Sequence, residues 1–445
     1  MKSKLTWGAL FFALQAGAFS VEAAEVQMYG QVDVGLSYAY TGVALVATGD
    51  PLPGQSTGAA AIELEPKNKH FSKLGISSGM MSPSLVGLRG TEALGNGWKV
   101  RLVLESGFNA DDGSFKTSDK LFDREASLAL DAGWATLRFG RLGPFRGAVG
   151  STGLMKDNLS AFGVDGWGTV QGLAGIMGGD FKVLDNVIAL EIPVSSSLSV
   201  HAMYTGSADD SYRYNPNKQG NYDPEPGEGS VAPTENKSDA DRYFSAALLW
   251  RGKAATGVLI GDYMDWSSHR GSSDHGARPS STSDEYHSAR SFRSITGLGA
   301  WNAGGIEWFG AMQYFESAQT IGGNQLAMPQ NDRTRTKVIC YGAGGDGFNV
   351  TFGTAIPLAG GKLRGSLGWL RAETNENSNQ KWGKMHRWIA AVGYDVALSK
   401  RTTVYAGVSY MHDSYTYTYT PHGRYFASLP DAWEVGSAIG VRHSF

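Results

Sequence analysis

D-A-W-E-V-G-S-A-I-G-V-R-H-S-F, residues 431–445, closes the chain and decides its fold. Large or apolar side chains stand at Trp433, Val435, Ile439, Val441 and Phe445, all odd positions; Ser437 and His443 are the exceptions. The even positions carry Ala432, Glu434, Gly436, Ala438, Gly440, Arg442 and Ser444. Successive side chains of a strand point to opposite faces, so this segment has one greasy face and one small or polar face. In water, such a strand at a chain end is an exposed edge. In a membrane barrel it is the ordinary wall element, with lipid outside and water inside. Its last residue is aromatic, as at the start of an interfacial girdle.

The other end of the chain says where the protein goes. Lys2 and Lys4 precede a short apolar run from Leu10 to Phe19, and Val21-Glu22-Ala23 ends it with a small residue. This predicts a secretory signal peptide over 1–23 and a mature chain of 24–445. The apolar run is too short for a membrane-spanning helix, which needs about 20 residues. No later segment reaches that length without charges. If the protein sits in a membrane, closure into a β-barrel is the remaining way to pair every backbone group in lipid.

Composition agrees with that and excludes other classes. Without Lys2, Lys4 and Glu22 the chain keeps 37 basic and 41 acidic residues, a net charge of −4. A nucleic-acid binder would be basic. The one cysteine, Cys340, rules out an internal disulfide and a structural cysteine cluster for metal, and reads as a buried small residue. Glycine makes up 60 of 445 residues, about twice the usual ~7%. Gly-rich and aromatic-rich together point to strands and turns.

The chain repeats one unit: an alternating segment, a short turn, another such segment, then a long polar connection. The first segment puts Val26, Met28, Val32, Val34, Leu36, Tyr38 and Tyr40 on one face, and Glu25, Gln27, Gln31, Asp33 and Ser37 on the other. Seven tight turns are rich in Gly, Asn, Asp and Ser: 94–97, 131–133, 195–197, 252–256, 302–305, 358–361 and 398–401. Eight long connections lie near 42–82, 110–120, 143–180, 207–240, 267–291, 317–345, 374–384 and 414–430. The expectation is sixteen strands of one domain: an all-β, transmembrane, antiparallel β-barrel. The strands fall near 25–41, 83–93, 98–109, 121–131, 134–142, 181–194, 198–206 and 241–251, then 257–266, 292–301, 305–316, 346–357, 362–373, 385–397, 402–413 and 431–445. Short turns at one end and long loops at the other are the asymmetry of outer-membrane barrels. Sixteen strands leave an aqueous lumen, whereas about eight would be filled by side chains.

Several segments resemble the Gram-negative general porin family, particularly its β-proteobacterial type. They are V-Q-M-Y-G-Q-V-D-V-G-L (26–36), G-L-R-G-T-E-A-L-G-N-G-W-K-V-R-L-V-L-E-S-G-F-N (87–109) and L-F-D-R-E-A-S-L-A-L (121–130). Further matches are L-R-F-G-R (137–141), L-D-N-V-I (184–188), A-L-S-K-R-T-T-V-Y-A-G-V-S-Y (397–410) and G-V-R-H-S-F (440–445). The resemblance implies a homotrimer in the cell outer membrane that passes ions and small hydrophilic solutes passively, with no cofactor. It also implies a third loop folded inward to constrict the pore, with acidic residues facing a basic ladder on the wall. The terminal Phe445 resembles the family's assembly signal. Leu85 stands where many relatives carry a basic residue.

Alternation assigns the lumen side chains. With Val100, Leu102 and Leu104 outward, Lys99, Arg101 and Glu105 face water. Arg89 lies opposite Leu88, and Arg138 opposite Leu137 and Phe139, so both face inward. Arg141 closes its strand and enters the third loop. Arg124 resembles the family's wall arginine. A charge on the lipid face at mid-depth would cost ~2–4 kcal/mol, which favours all of these inward. The third loop, 143–180, carries Asp157, Asp165 and Asp180; Asp157 and Asp165 are mid-loop and are the constriction candidates. Arg146 and Lys156 make its net charge slight, and it is Gly-rich and hydrophobic around 147–155 and 166–179.

Four other signals carry less. Gly342 to Gly347 fits G-x-G-x-x-G, but an alternating strand follows where a dinucleotide site needs a helix. His269, Asp274, His275 and His287 read as a solvated loop before a metal site. His412-Asp413 admits a rim enzyme as an alternative to a channel, and the long loops admit an adhesion or receptor role. The run Tyr415–Tyr419 reads as aromatic girdle.

Overall fold

The computed structural model describes residues 25–48, 63–118, 120–156, 159–179, 183–209, 231–267, 290–318, 320–322, 338–339, 345–374, 384–419 and 425–445. The expected signal peptide, Asp157, Asp180, Cys340, the His269–His287 cluster and the side chains of Tyr415–Tyr419 lie outside the described residues.

The strands are β1 (Glu25–Thr48), β2 (Glu63–Ser78), β3 (Leu85–Gly95), β4 (Trp98–Gly107), β5 (Glu125–Asp131), β6 (Thr136–Leu142), β7 (Leu184–Pro193), β8 (Leu198–Thr205), β9 (Arg242–Arg251) and β10 (Ala255–Asp265). They continue as β11 (Phe292–Ala303), β12 (Ile306–Ala318), β13 (Thr320–Ile321), β14 (Val338–Ile339), β15 (Gly345–Leu358), β16 (Gly361–Thr374), β17 (Lys384–Ala397), β18 (Thr402–Tyr419) and β19 (Tyr425–Ser444). Apart from the β13–β14 ribbon, all join one antiparallel sheet. The sheet closes because β19 pairs with β1, from Gln31↔Ser444 to Gly42↔Trp433. β2 and β3 share one side of β1: β2 opposes Val34–Thr48 and β3 opposes Glu25–Gln31. Together they fill one place in the wall, which makes a closed barrel of sixteen places.

The expected strands are all present, with two differences of extent. The expected connection 42–82 is instead largely strand, because β1 runs on to Thr48 and pairs there with β2. Likewise β18 and β19 continue their ladder to Tyr419↔Tyr425, into the expected loop 414–430. In both cases long partners zip beyond the membrane-length core, so backbone pairing outlasts the apolar alternation. The tight turns fall where expected. In the first of them, Asn96 (φ 50°) and Gly97 (φ 81°) occupy the left-handed region that a two-residue hairpin turn requires.

Side-chain parity separates two surfaces. Val26, Met28, Leu102, Leu128, Ile188, Phe244, Met312, Leu367, Ile439 and Val441 are exposed on the outside. Ala129, Ser245, Thr296, Asn349, Ala391 and Glu434, on the other parity, are buried inside. The apolar core of this protein therefore lies within the barrel. A loop between β6 and β7 provides 10 of the 38 buried residues of its two apolar clusters.

Candidate functional site

The connection after β6, loop 3, starts at Gly143 and crosses the inside of the barrel. Its apolar residues Phe145, Met155, Leu159, Leu173, Ile176 and Met177 are buried among inward side chains of β7–β12 and β16–β18, including Val187, Met203, Ile260, Phe292, Phe315 and Ile389. Farther along, Trp167 meets Phe162 (ring centroids 4.9 Å apart) and Tyr405 (5.4 Å). Small wall residues make that seat: a Cβ on Gly393 or Gly407 would lie 2.7 or 3.2 Å from the Trp167 ring. Each fully buried large apolar side chain contributes roughly 1.5–3 kcal/mol, so this packing holds the loop inside rather than in solvent.

Polar clasps fix its position. Arg387 donates to both carboxylate oxygens of Asp413 at 2.6 Å and to the loop carbonyl Gly175 O at 2.6 Å. Arg364 bonds Asp395 at 2.5 Å and the carbonyl of Ala161 at 3.0 Å. Gln313 accepts from Gly178 N at 2.9 Å and donates back to Gly178 O at 3.2 Å. Thr169 Oγ1 donates to Ser437 O at 2.7 Å, with Tyr38 O also 3.0 Å away. Gln171 donates its backbone N–H to Ser409 Oγ (3.0 Å) and its side-chain amide to Glu434 (3.2 Å). At the loop's root, Glu125 accepts from Ser151 N (2.5 Å) and Ser151 Oγ (2.6 Å). The loop thus spans from β5–β6 to β12, β16–β19 and β1, across the barrel. Charged lumen residues outside this packing include the Lys362–Glu307 pair of β16 and β12 and a group along the β3–β6 wall.

That wall holds the expected residues. Arg124, one residue before β5, bonds Glu105 at 2.7 Å, and Glu105 also accepts from Tyr29 OH at 3.0 Å. Arg101 pairs with Asp131 on β5, and Arg141 with Asp185 on β7. Arg138 lies 4.0 Å from Glu191. Arg89 donates to Gln27 Oε1 at 2.9 and 2.6 Å, with its guanidinium 5.2 Å from the Tyr29 ring centre. Lys99 is exposed, with no acidic partner among the described residues. The arginines find their acids on neighbouring strands, while on loop 3 Asp165 is exposed beside Trp167 and Arg146 is buried 3.4 Å from Asp262. The Arg387–Asp413 and Arg364–Asp395 clasps escaped the sequence reading. Inward parity of a basic and an acidic residue on adjacent strands is the signal that could have found them.

His412 and Asp413 do not converge. They are consecutive in β18 and point to opposite faces; Asp413 binds Arg387 inside, and His412 stacks on Tyr410. The glycine pattern at 342–347 runs into β15 and not into a helix.

Residues 9–416 match the family described as Gram-negative porin. The chain belongs to the Gram-negative porin family. It is similar to an outer membrane porin protein of Bordetella pertussis, with 25% identity over 455 residues and all of both chains covered (100% and 100%). Among solved structures it resembles an anion-selective porin from Comamonas acidovorans, with TM-score 0.57, 18% identity, and 95% of this chain and 100% of that one covered. It also resembles OmpT, an outer membrane protein of Vibrio cholerae, with TM-score 0.52, 12% identity, and 95% and 98% covered. At such identities the two structures bear on the fold alone. This porin is an outer-membrane channel protein. Short turns face the periplasm in such barrels, and long connections face outside.

Proposed function

We propose that this porin passes small hydrophilic ions and solutes by diffusion between loop 3 and the wall of β1 and β3–β6, with a preference for anions. One observation carries the preference. Of the six cations Arg89, Lys99, Arg101, Arg124, Arg138 and Arg141 on this wall, the last four each have an acidic partner within 4.0 Å, and Arg89 and Lys99 have none among the described residues. Asp33, Asp123 and Glu125, acids of this wall that also lack a cationic partner among the described residues, are buried, whereas Arg89 and Lys99 are exposed. The charge presented to the lumen is therefore positive, and a narrow lumen with low-dielectric walls focuses such a field. The Comamonas relative is named anion-selective, which agrees with this reading.

Asp157 and Asp165 of loop 3 are the acidic counterparts in this reading. Residues 1–23 are the export signal, 24–445 the mature barrel, and Phe445 an assembly signal. The working form is a homotrimer in outer-membrane lipid. No cofactor or catalytic step is required. Planar bilayer recording tests the whole reading. Stepwise conductance with three levels per insertion, and a reversal potential on the anion side in a salt gradient, are expected. A closed membrane would overturn the diffusion reading, and a cation-side potential the preference.

A further inference from the structure

Resting on the channel reading above, we propose that the barrel wall itself supplies a second constriction element, Gly79–Ser84, and that Ser82 on it helps decide which ions pass. The register demands an irregularity here. Val34 pairs with Ser78 and Gln31 with Leu85, so only Val32 and Asp33 oppose the six residues 79–84. The surplus backbone must leave the plane of the sheet.

It leaves inward. Met80 is 3% exposed and joins the lumen cluster of Phe162, Trp167, Val170 and Tyr405. A Cβ on either inward-facing glycine, Gly35 or Gly440, would run into the Met80 methyl. Met80 O accepts from Gly168 N of loop 3 at 3.1 Å. The excursion and the loop therefore touch, and together they bound the opening on the β1 side.

The element is held firmly enough to act as a rim. Asp33, 0% exposed, accepts from Met81 N (3.0 Å) and Ser82 N (2.9 Å) on one oxygen and from Tyr405 OH (2.5 Å) on the other. Gln31 donates to Ser82 Oγ at 2.6 Å and Pro83 O at 2.7 Å. Gly79, at φ 65°, makes the bend and donates to Asp33 O at 2.7 Å. Both carboxylate oxygens of Asp33 are taken up by this framework and none is exposed to the passage. Met81, Ser82 and Pro83 stay partly exposed, a neutral rim beside Gln31 of β1. A charge placed at Ser82 would act on ions at close range.

The test records the full-length protein in planar bilayers under a salt gradient. Ser82→Lys should move the reversal potential towards anions and Ser82→Glu towards cations. Deleting Met80–Pro83 should raise single-channel conductance, as expected when one side of a constriction is removed. The two charge variants keep the test decisive if the deletion fails to insert. Conducting Ser82 variants whose potentials stay at the wild-type value, or move in the same direction, would overturn the proposal. A wild-type protein that does not conduct would instead overturn the channel reading on which it rests.

Discussion

Arg124 and Arg89 line the same wall, yet their removal leaves different things behind. Arg124→Ala strands Glu105, a nearly buried carboxylate that keeps only Tyr29 OH as a partner. Arg89→Ala removes a cation whose partners, Gln27 and Tyr29, are neutral. Each removes one positive charge from the wall, so both should shift the reversal potential towards cations, and Arg124→Ala should also lower stability because it strands Glu105. The double substitution should add the two shifts, and an unchanged potential would show that this wall does not face the ion path. Gly436 is a second residue with a sharp expectation. A side chain there would collide with the backbone carbonyl of Thr169, where loop 3 rests on β19. Gly436→Val should therefore unseat that part of loop 3, seen as faster proteolysis within 143–180 and a larger, noisier conductance.

At the scale of the element, loop 3 is a polar-clasped apolar plug. Its clasp at Arg387 is fully buried, and the guanidinium serves Asp413 and Gly175 O together. Removing one partner of a buried pair leaves an uncompensated charge and costs about 3–5 kcal/mol, whereas replacing both by apolar residues is far milder. Asp413→Ala should lower the temperature at which the detergent-solubilised barrel unfolds, and Arg387→Met with Asp413→Leu should recover much of the loss. Equal losses in the single and double variants would assign the cost to cavity formation. The sequence pointed towards this element only in part. Its hydrophobic, Gly-rich stretches are legible, and packed glycines at the seat explain them. What they pack against is not, because residues such as Trp167 and Tyr405 are 238 positions apart and meet only across the lumen. The strand break at 79–84 was equally hidden: the residues 83–93 read as a clean strand, and nothing local revealed that 63–78 resumes the same wall place.

For the whole molecule, the decisive contact is the seam between the first and last strands. Phe445 donates its N–H to Gly30 O at 3.0 Å and accepts from Gly30 N at 3.3 Å, with its ring against the bare Cα of Gly30. Deleting Phe445 should lower the yield of inserted barrel while the pores that do form conduct normally. A normal yield would remove its assembly role. The alternation of residues 431–445, matched by 26–40, by itself determined that these strands build a wall with one face to lipid and one to the lumen, because side-chain direction follows strand parity wherever the strand lies. The seven turns and eight long connections likewise determined the strand number and the two-sided asymmetry, since these are local properties of the chain. Only the tertiary structure decided how the lumen is used. Parity says that a side chain points inward but not whether it meets water, an acid on the next strand or the carbonyl of a loop from across the barrel. Arg387 and Arg89 have the same inward parity; one is locked under loop 3 and the other stands on the open wall, and that difference is set by where a loop some forty residues long comes to rest.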